Sequence, residues 1–217
     1  MATCGISLCQ RLFAGTGQIT SLVMLHRIPF IKTPPRVSVV RLSGMIANSG
    51  RALNDANVGP LIEAAFTKGK PAAVALVINS PGGSPVQSSL IAARIRRLAD
   101  EKEIPVIAFV EDAAASGGYW LACAADEIFV DANSIVGSIG VISASFGFQD
   151  LIARHGVERR VHTAGKSKSF LDPFRPEQEA DVARLRDLQA QIHANFITQV
   201  TERRGDRLNT ETELFTG

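Results

Sequence analysis

The chain has 217 residues, which suits one domain with short extensions. Hydrophobic residues make up 46 % and charged residues 20 %, which excludes a disordered chain and predicts a soluble globule. The formal net charge is only +2, so charge gives no argument for nucleic acid or for an acidic partner.

Cys4, Cys9 and Cys123 are odd in number and fit no zinc spacing. A disulfide framework is therefore not expected, and a reducing compartment is the simpler reading. Cys123 lies in the apolar run Trp120-Leu121-Ala122-Cys123-Ala124-Ala125 and reads as an inert core thiol. No segment reaches the roughly 18 to 20 apolar residues that span a bilayer. The N-terminus is basic: Arg11, Arg27, Lys32, Arg36, Arg41 and Arg51 all precede Asp55, the first acidic residue. Residues 1–35 read as an extension ended by Pro34-Pro35. A surface tail, a membrane or oligomer contact and a targeting peptide all remain open for it.

The predicted elements follow in order. Val37 to Leu42 alternates apolar and polar and predicts a strand. Asn54 can cap a helix with Val58, Leu61, Ile62, Ala65 and Phe66 at helical spacing, closed by Gly69. Ala72 to Ile78 is a continuous apolar run, typical of a strand buried on both faces. A helix is expected from Pro85 to Lys102, with proline at its first position. Pro105 to Val110 predicts a further buried strand. A short helix is expected over Tyr119 to Ala125, then strands at Glu127–Val130 and Val136–Ile142. Phe148 to His155 predicts a helix, Val157 to His162 a strand, and Pro176 to Arg203 a long amphipathic helix ended by Gly205. Strands alternating with helices imply a mostly parallel α/β sheet in one domain, residues 36–217.

In such sheets ligands bind beyond the carboxyl ends of the strands. Two loops there are unusual. Ser80-Pro81-Gly82-Gly83 follows a strand, and its glycines can turn backbone N–H groups into a cleft, as an oxyanion site requires. It reads equally as a plain strand-to-helix turn. Ala114-Ala115-Ser116-Gly117-Gly118 places a serine between small residues at a helix start. Ser116 reads either as a nucleophile, with the Gly117 N–H serving the oxyanion, or as a helix N-cap. The Gly-x-Ser-x-Gly elbow of triad hydrolases is absent, because Ala114 stands at its first glycine.

A serine nucleophile needs a base. Of His26, His155, His162 and His193, only His162, at the end of a predicted strand, is a plausible histidine. The following loop holds Gly165-Lys166-Ser167-Lys168-Ser169. A lysine serves as a base where burial and cationic neighbours keep it neutral. Both lysines read equally as solvated surface residues. The spacing of a phosphate loop is missing, which excludes a nucleotide site.

The chain resembles the serine peptidase family of signal peptide peptidase A over roughly Val37 to Gly217. Ordered blocks carry the resemblance: Asn79-Ser80-Pro81-Gly82-Gly83, Ala114-Ala115-Ser116-Gly117-Gly118-Tyr119, Gly137-Ser138-Ile139-Gly140-Val141, Ala164-Gly165-Lys166-Ser167-Lys168-Ser169, Asp172-Pro173-Phe174 and Glu213-Leu214-Phe215-Thr216-Gly217. The resemblance implies the fold of the Clp protease and crotonase superfamily, a superhelix of repeated β-β-α units with a mostly parallel sheet. It implies Ser116 as nucleophile and Lys168, 52 residues later, as general base, with Lys166 the lesser candidate. It implies Gly83 and Gly117 as oxyanion donors, and Gly82, Ser138 and Gly140 as substrate-binding positions. The expected activity is endopeptidase cleavage of signal-peptide remnants or membrane-associated peptides, without metal or cofactor. The lysine can come from a neighbouring subunit, so a homo-oligomer with an inter-subunit site is expected. The expected location is cytoplasmic or peripheral to the cytoplasmic membrane. Larger relatives begin with a membrane anchor, none of which is visible here, and the family pattern continues past Phe215-Thr216-Gly217, so a truncated C-terminal end is expected. A non-catalytic scaffold of the same fold and a crotonase-like acyl-CoA enzyme are the competing classes.

Overall fold

The structure, a computed structural model, describes residues 34–165, 167–209 and 213–217. The expected N-terminal extension lies outside the described residues except for Pro34 and Pro35.

Strand β1 spans Val37–Ser43, β2 Ala73–Ser80, β3 Val106–Ala115, β4 Glu127–Val130 and β5 Ile135–Gly137. Among the described residues these five form one sheet in the order β1-β2-β3-β4, with β5 also pairing β3. Every pairing is parallel. The sheet is the expected mostly parallel α/β arrangement. Helix α1 spans Asp55–Thr67, α2 Pro85–Lys102, α3 Gly117–Ala122, α4 Gln149–Arg154 and α5 Glu179–Arg204.

Local chemistry explains the helix ends. The Asn54 side chain accepts from the Asn57 N–H at 2.9 Å and donates to the Ser49 and Ala52 carbonyls, so one buried amide starts α1 and closes the loop before it. Pro85 opens α2, and Ser84 caps it by accepting from Gln87 N–H. Burying apolar surface holds the layers together. Val40, Leu42, Val74, Leu76, Ile78, Val106 and Ala108 are buried with Ile62 and Phe66 of α1 and Ile91, Ile95 and Leu98 of α2. Helix α5 docks through its C-terminal half. Phe196 packs against Trp120 with tilted rings 5.0 Å apart, Val200 is fully buried, and Arg203 donates to the Cys123 and Ala125 carbonyls.

Two strand predictions need correction. Val157–His162 has no regular structure and pairs with no strand among the described residues, and Val157 is 57 % exposed. Without a ladder its backbone has no reason to become a strand. The strand expected over Val136–Ile142 is only Ile135–Gly137. It ends where Gly137 and Ser138 both adopt positive φ, at 98° and 50°.

Strand β3 runs five residues past its expected end, and this extension makes the site. Ile78 pairs Val110, but Ser80 pairs Ala114, so β3 bulges over Glu111–Ala113 opposite the single residue Asn79 of β2. Before the bulge β3 pairs β4, and after it β5. Bulges bend a strand and re-aim its end. Here the re-aimed end delivers Ser116.

Candidate active site

Ser116 follows the last residue of β3 with φ 51° and ψ −122°. A non-glycine residue held there costs about 1–3 kcal/mol in strain and persists only where its surroundings over-determine it. The surroundings do. Its N–H donates to the Gly137 carbonyl at 2.7 Å, and its carbonyl accepts from Tyr119 at 2.9 Å and Trp120 at 3.1 Å. The side chain makes no capping bond. Ser116 thus occupies the N-cap position of α3 without acting as a cap, and Oγ is left uncommitted among the described residues.

The two glycine loops meet at this serine. Gly82, with φ 98°, lies against it: a Cβ there would stand 2.7 Å from the Ala115 carbonyl oxygen and 2.8 Å from the Ser116 Cβ. A Cβ on Gly83 would overlap the Ile46 carbonyl oxygen. A Cβ on Gly117 would overlap Ser88 Oγ and stand 3.4 Å from the Gly83 nitrogen. The absent side chains therefore let two backbone N–H groups sit side by side. Neither the Gly83 nor the Gly117 N–H donates to an acceptor among the described residues. Gly83 is exposed and Gly117 opens α3, where first-turn donors have no partner within the helix, so both N–H groups are available to an external acceptor.

Ser138 directly follows Gly137, whose carbonyl holds Ser116 N–H, and so it neighbours the serine loop. Gly140 donates its N–H to the Ser138 carbonyl at 3.1 Å, and a Cβ on it would stand 2.9 Å from Gly217 Cα. The five positions Gly82, Gly83, Ser116, Gly117 and Ser138 are thus brought together.

Among the described residues no hydrogen bond links Lys168 to them. It is exposed, in the turn after Gly165, and its ammonium makes no hydrogen bond or ion pair among the described residues. Its loop is anchored nearby instead, by Phe148 N–H donating to the Pro173 carbonyl at 2.6 Å and by Arg159 pairing with Asp172 at 3.3 Å. Lys166 and His26 lie outside the described residues. His162 is exposed. His193 has a different use: its Nε2 is 2.9 Å from the Ile139 carbonyl, tying α5 to the segment after Ser138. Burial pushes the Cys123 thiol up to about 12, so it stays protonated and is no competing nucleophile.

Three residues that hold the site escape a reading of the sequence. Ile46 donates from its N–H to the Gly82 carbonyl at 2.8 Å and accepts at its carbonyl from Ser84 N–H at 2.7 Å. Ser80 and Ser88 are fully buried beside the glycines. Ile46 acts through its backbone, which leaves no mark in the side-chain pattern. The serines leave no clear signal either, because Ser80 stands between Asn79 and Pro81 and Ser88 between Gln87 and Ser89.

The model of peptidase family S49 matches residues 99–213, which include Ser116 and Lys168. A Brucella melitensis protein named Na(+)/H(+) antiporter NhaA is 54 % identical over 185 residues, covering 83 % of this chain and 25 % of that protein. Among the described residues no helix is long and apolar enough to cross a membrane. The chloroplastic serine protease SPPA of Arabidopsis thaliana is 34 % identical over 145 residues, 65 % of this chain and 21 % of that protein. Protease 4 of Haemophilus influenzae is 33 % identical over 148 residues, 67 % of this chain and 23 % of that protein. The chain spans about a quarter of the length of these curated relatives. The family match takes in more than half of the chain and the strained serine with it, and the chain belongs to peptidase family S49.

Proposed function

We propose that the chain is a serine endopeptidase that cleaves through an acyl-enzyme. Ser116 is the nucleophile and Lys168 the general base. Ser116 Oγ attacks the scissile carbonyl carbon while its proton passes to Lys168 Nζ. The carbonyl oxygen, now negative, accepts from the N–H groups of Gly83 and Gly117. The C–N bond then breaks, and Lys168 returns the proton to the leaving amine. Water, deprotonated by the same lysine, hydrolyses the ester and frees Ser116. One observation carries the reading: a strained serine with an uncommitted Oγ stands beside two glycine N–H groups that have no acceptor among the described residues.

A lysine base must be neutral, which demands a dry site. The exposure of Lys168 in the single chain supports delivery of this residue by a second copy, whose surface would also cover it. Signal-peptide remnants or membrane-associated peptides are the proposed substrates, after the family resemblance, and a peripheral position at the membrane accompanies them. The same exposure of Lys168 favours one competing reading, a non-catalytic scaffold of this fold. Purified Lys168→Ala separates the two. Peptide turnover is expected to fall by at least about 10³-fold with unchanged thermal stability, because the side chain is exposed and unpaired among the described residues. Full turnover in Lys168→Ala removes the dyad, and no turnover in the parent protein under any assembly condition favours the scaffold.

A further inference from the structure

Asn54, Ser80 and Ser88 are the buried polar side chains among the described residues. Asn54 caps α1, and Ser88 donates to the Ser84 carbonyl one turn back in its own helix at 2.9 Å. Ser80 differs. It is fully buried, and its hydroxyl joins two separate loops. Oγ donates to the Gly44 carbonyl beyond β1 at 2.7 Å and accepts from Gly82 N–H at 3.2 Å. A buried hydroxyl costs free energy unless it is bonded, and an alanine would fill the same core position without that cost.

We infer that Ser80 is a positioning residue: its hydroxyl, with the Ile46 N–H, fixes the Gly82–Gly83 peptide so that the Gly83 N–H is presented to the reacting carbonyl oxygen. Gly82 is held at both ends, its N–H by Ser80 and its carbonyl by Ile46. The peptide that joins it to Gly83 is trans, as are all the described peptides. In a planar trans peptide the N–H points opposite to the C=O. The Gly82 carbonyl points at Ile46, so the Gly83 N–H points away from Ile46. Glycines at φ 98° and 141° have no side chain to resist rotation of that peptide. The two hydrogen bonds supply the resistance. Removing the Ser80 hydroxyl strands a buried N–H and frees the peptide to turn, which takes an oxyanion donor out of line.

The inference rests on the proposed Ser116 mechanism, and the test separates the two. Ser80→Ala, Ser80→Cys and Ser116→Ala are compared with the parent on one fluorogenic peptide. Ser80→Ala is expected to lower kcat about 10- to 100-fold with KM within about twofold, since the donor acts on the oxyanion and hardly on the ground-state carbonyl. Ser80→Cys, a similar size with a weaker hydrogen-bonding group, falls between. A peptide aldehyde, whose adduct oxygen occupies the oxyanion position, is expected to inhibit Ser80→Ala at least about 10-fold more weakly. Activity retained by Ser116→Ala defeats the mechanism and leaves Ser80 nothing to position. An inactive Ser116→Ala beside a folded Ser80→Ala of normal kcat defeats the inference alone. If neither Ser80 variant folds, the hydroxyl is a strut of the fold and the inference is wrong.

Discussion

Replacing Ser116 by glycine is expected to abolish peptide hydrolysis and to raise stability at the same time. The two effects have separate causes. Activity is lost because no other side chain supplies the attacking oxygen, so turnover falls to background, at least about 10³-fold. Stability rises because φ 51° with ψ −122° is a conformation that a Cβ resists and glycine accepts. Relief of that strain is worth about 1–3 kcal/mol. Against it stands the greater freedom of glycine in the unfolded chain, about 0.5–1 kcal/mol. No hydrogen bond offsets the gain, because Oγ makes no capping bond and the backbone bonds of Ser116 survive the change. The net expectation is a gain of about 1 kcal/mol in chemical denaturation. A serine retained for packing or for capping would give the opposite sign. A destabilised Ser116→Gly, or one that still hydrolyses peptide, contradicts a strained nucleophile.

Gly83→Ala is expected to damage both fold and activity. The new Cβ would overlap the Ile46 carbonyl oxygen, and this neighbour is backbone rather than the end of a flexible side chain. Ile46 cannot retreat cheaply. Its side chain is 1 % exposed in the core, and its two backbone bonds hold Gly82 and Ser84. Overpacking of this kind costs about 1–3 kcal/mol, and φ 141° adds strain for any L side chain. A loss of about 2–4 kcal/mol follows, with kcat reduced at least about 10²-fold as the neighbouring donors shift. Gly147→Ala is the control. A Cβ there meets nothing within 4 Å and its φ is not positive, so both stability and turnover are expected to stay near the parent values. Equal tolerance at Gly83 and Gly147 would mean that the Gly82–Gly83 loop is not the tight fixture described.

Particular residues show what the sequence could and could not disclose. Helix α2 was legible at both ends, Pro85 and Lys102, because a proline, a capping serine and a regular apolar stripe agree there. Strands β2 and β4 were legible from their apolar runs. The true length of β3 was not. Asp112 and the alanines after it look like a loop, and only pairing with Ser80 and β5 makes them strand. Val157–His162 failed the other way: its pattern suits a strand, but no partner lies beside it among the described residues.

Within the site, Ser116 and the glycines were visible because close backbone approach leaves small residues behind. The sequence could not separate a capping serine from a nucleophile, and the uncommitted Oγ now speaks against capping. Ile46 was invisible because it works through its main chain. Lys168 was singled out by the family pattern and not by its surroundings.

The most direct measurement is covalent labelling of the purified protein with a fluorophosphonate, followed by mass spectrometry of its proteolytic peptides. Such a reagent is attacked by an activated serine and places its phosphoryl oxygen where an oxyanion would sit. The predicted result is a single adduct on Ser116, lost in Lys168→Ala and slowed in Ser80→Ala. Peptide hydrolysis that proceeds while Ser116 stays unlabelled, or an adduct on a different serine that stops hydrolysis, would contradict Ser116 as the nucleophile.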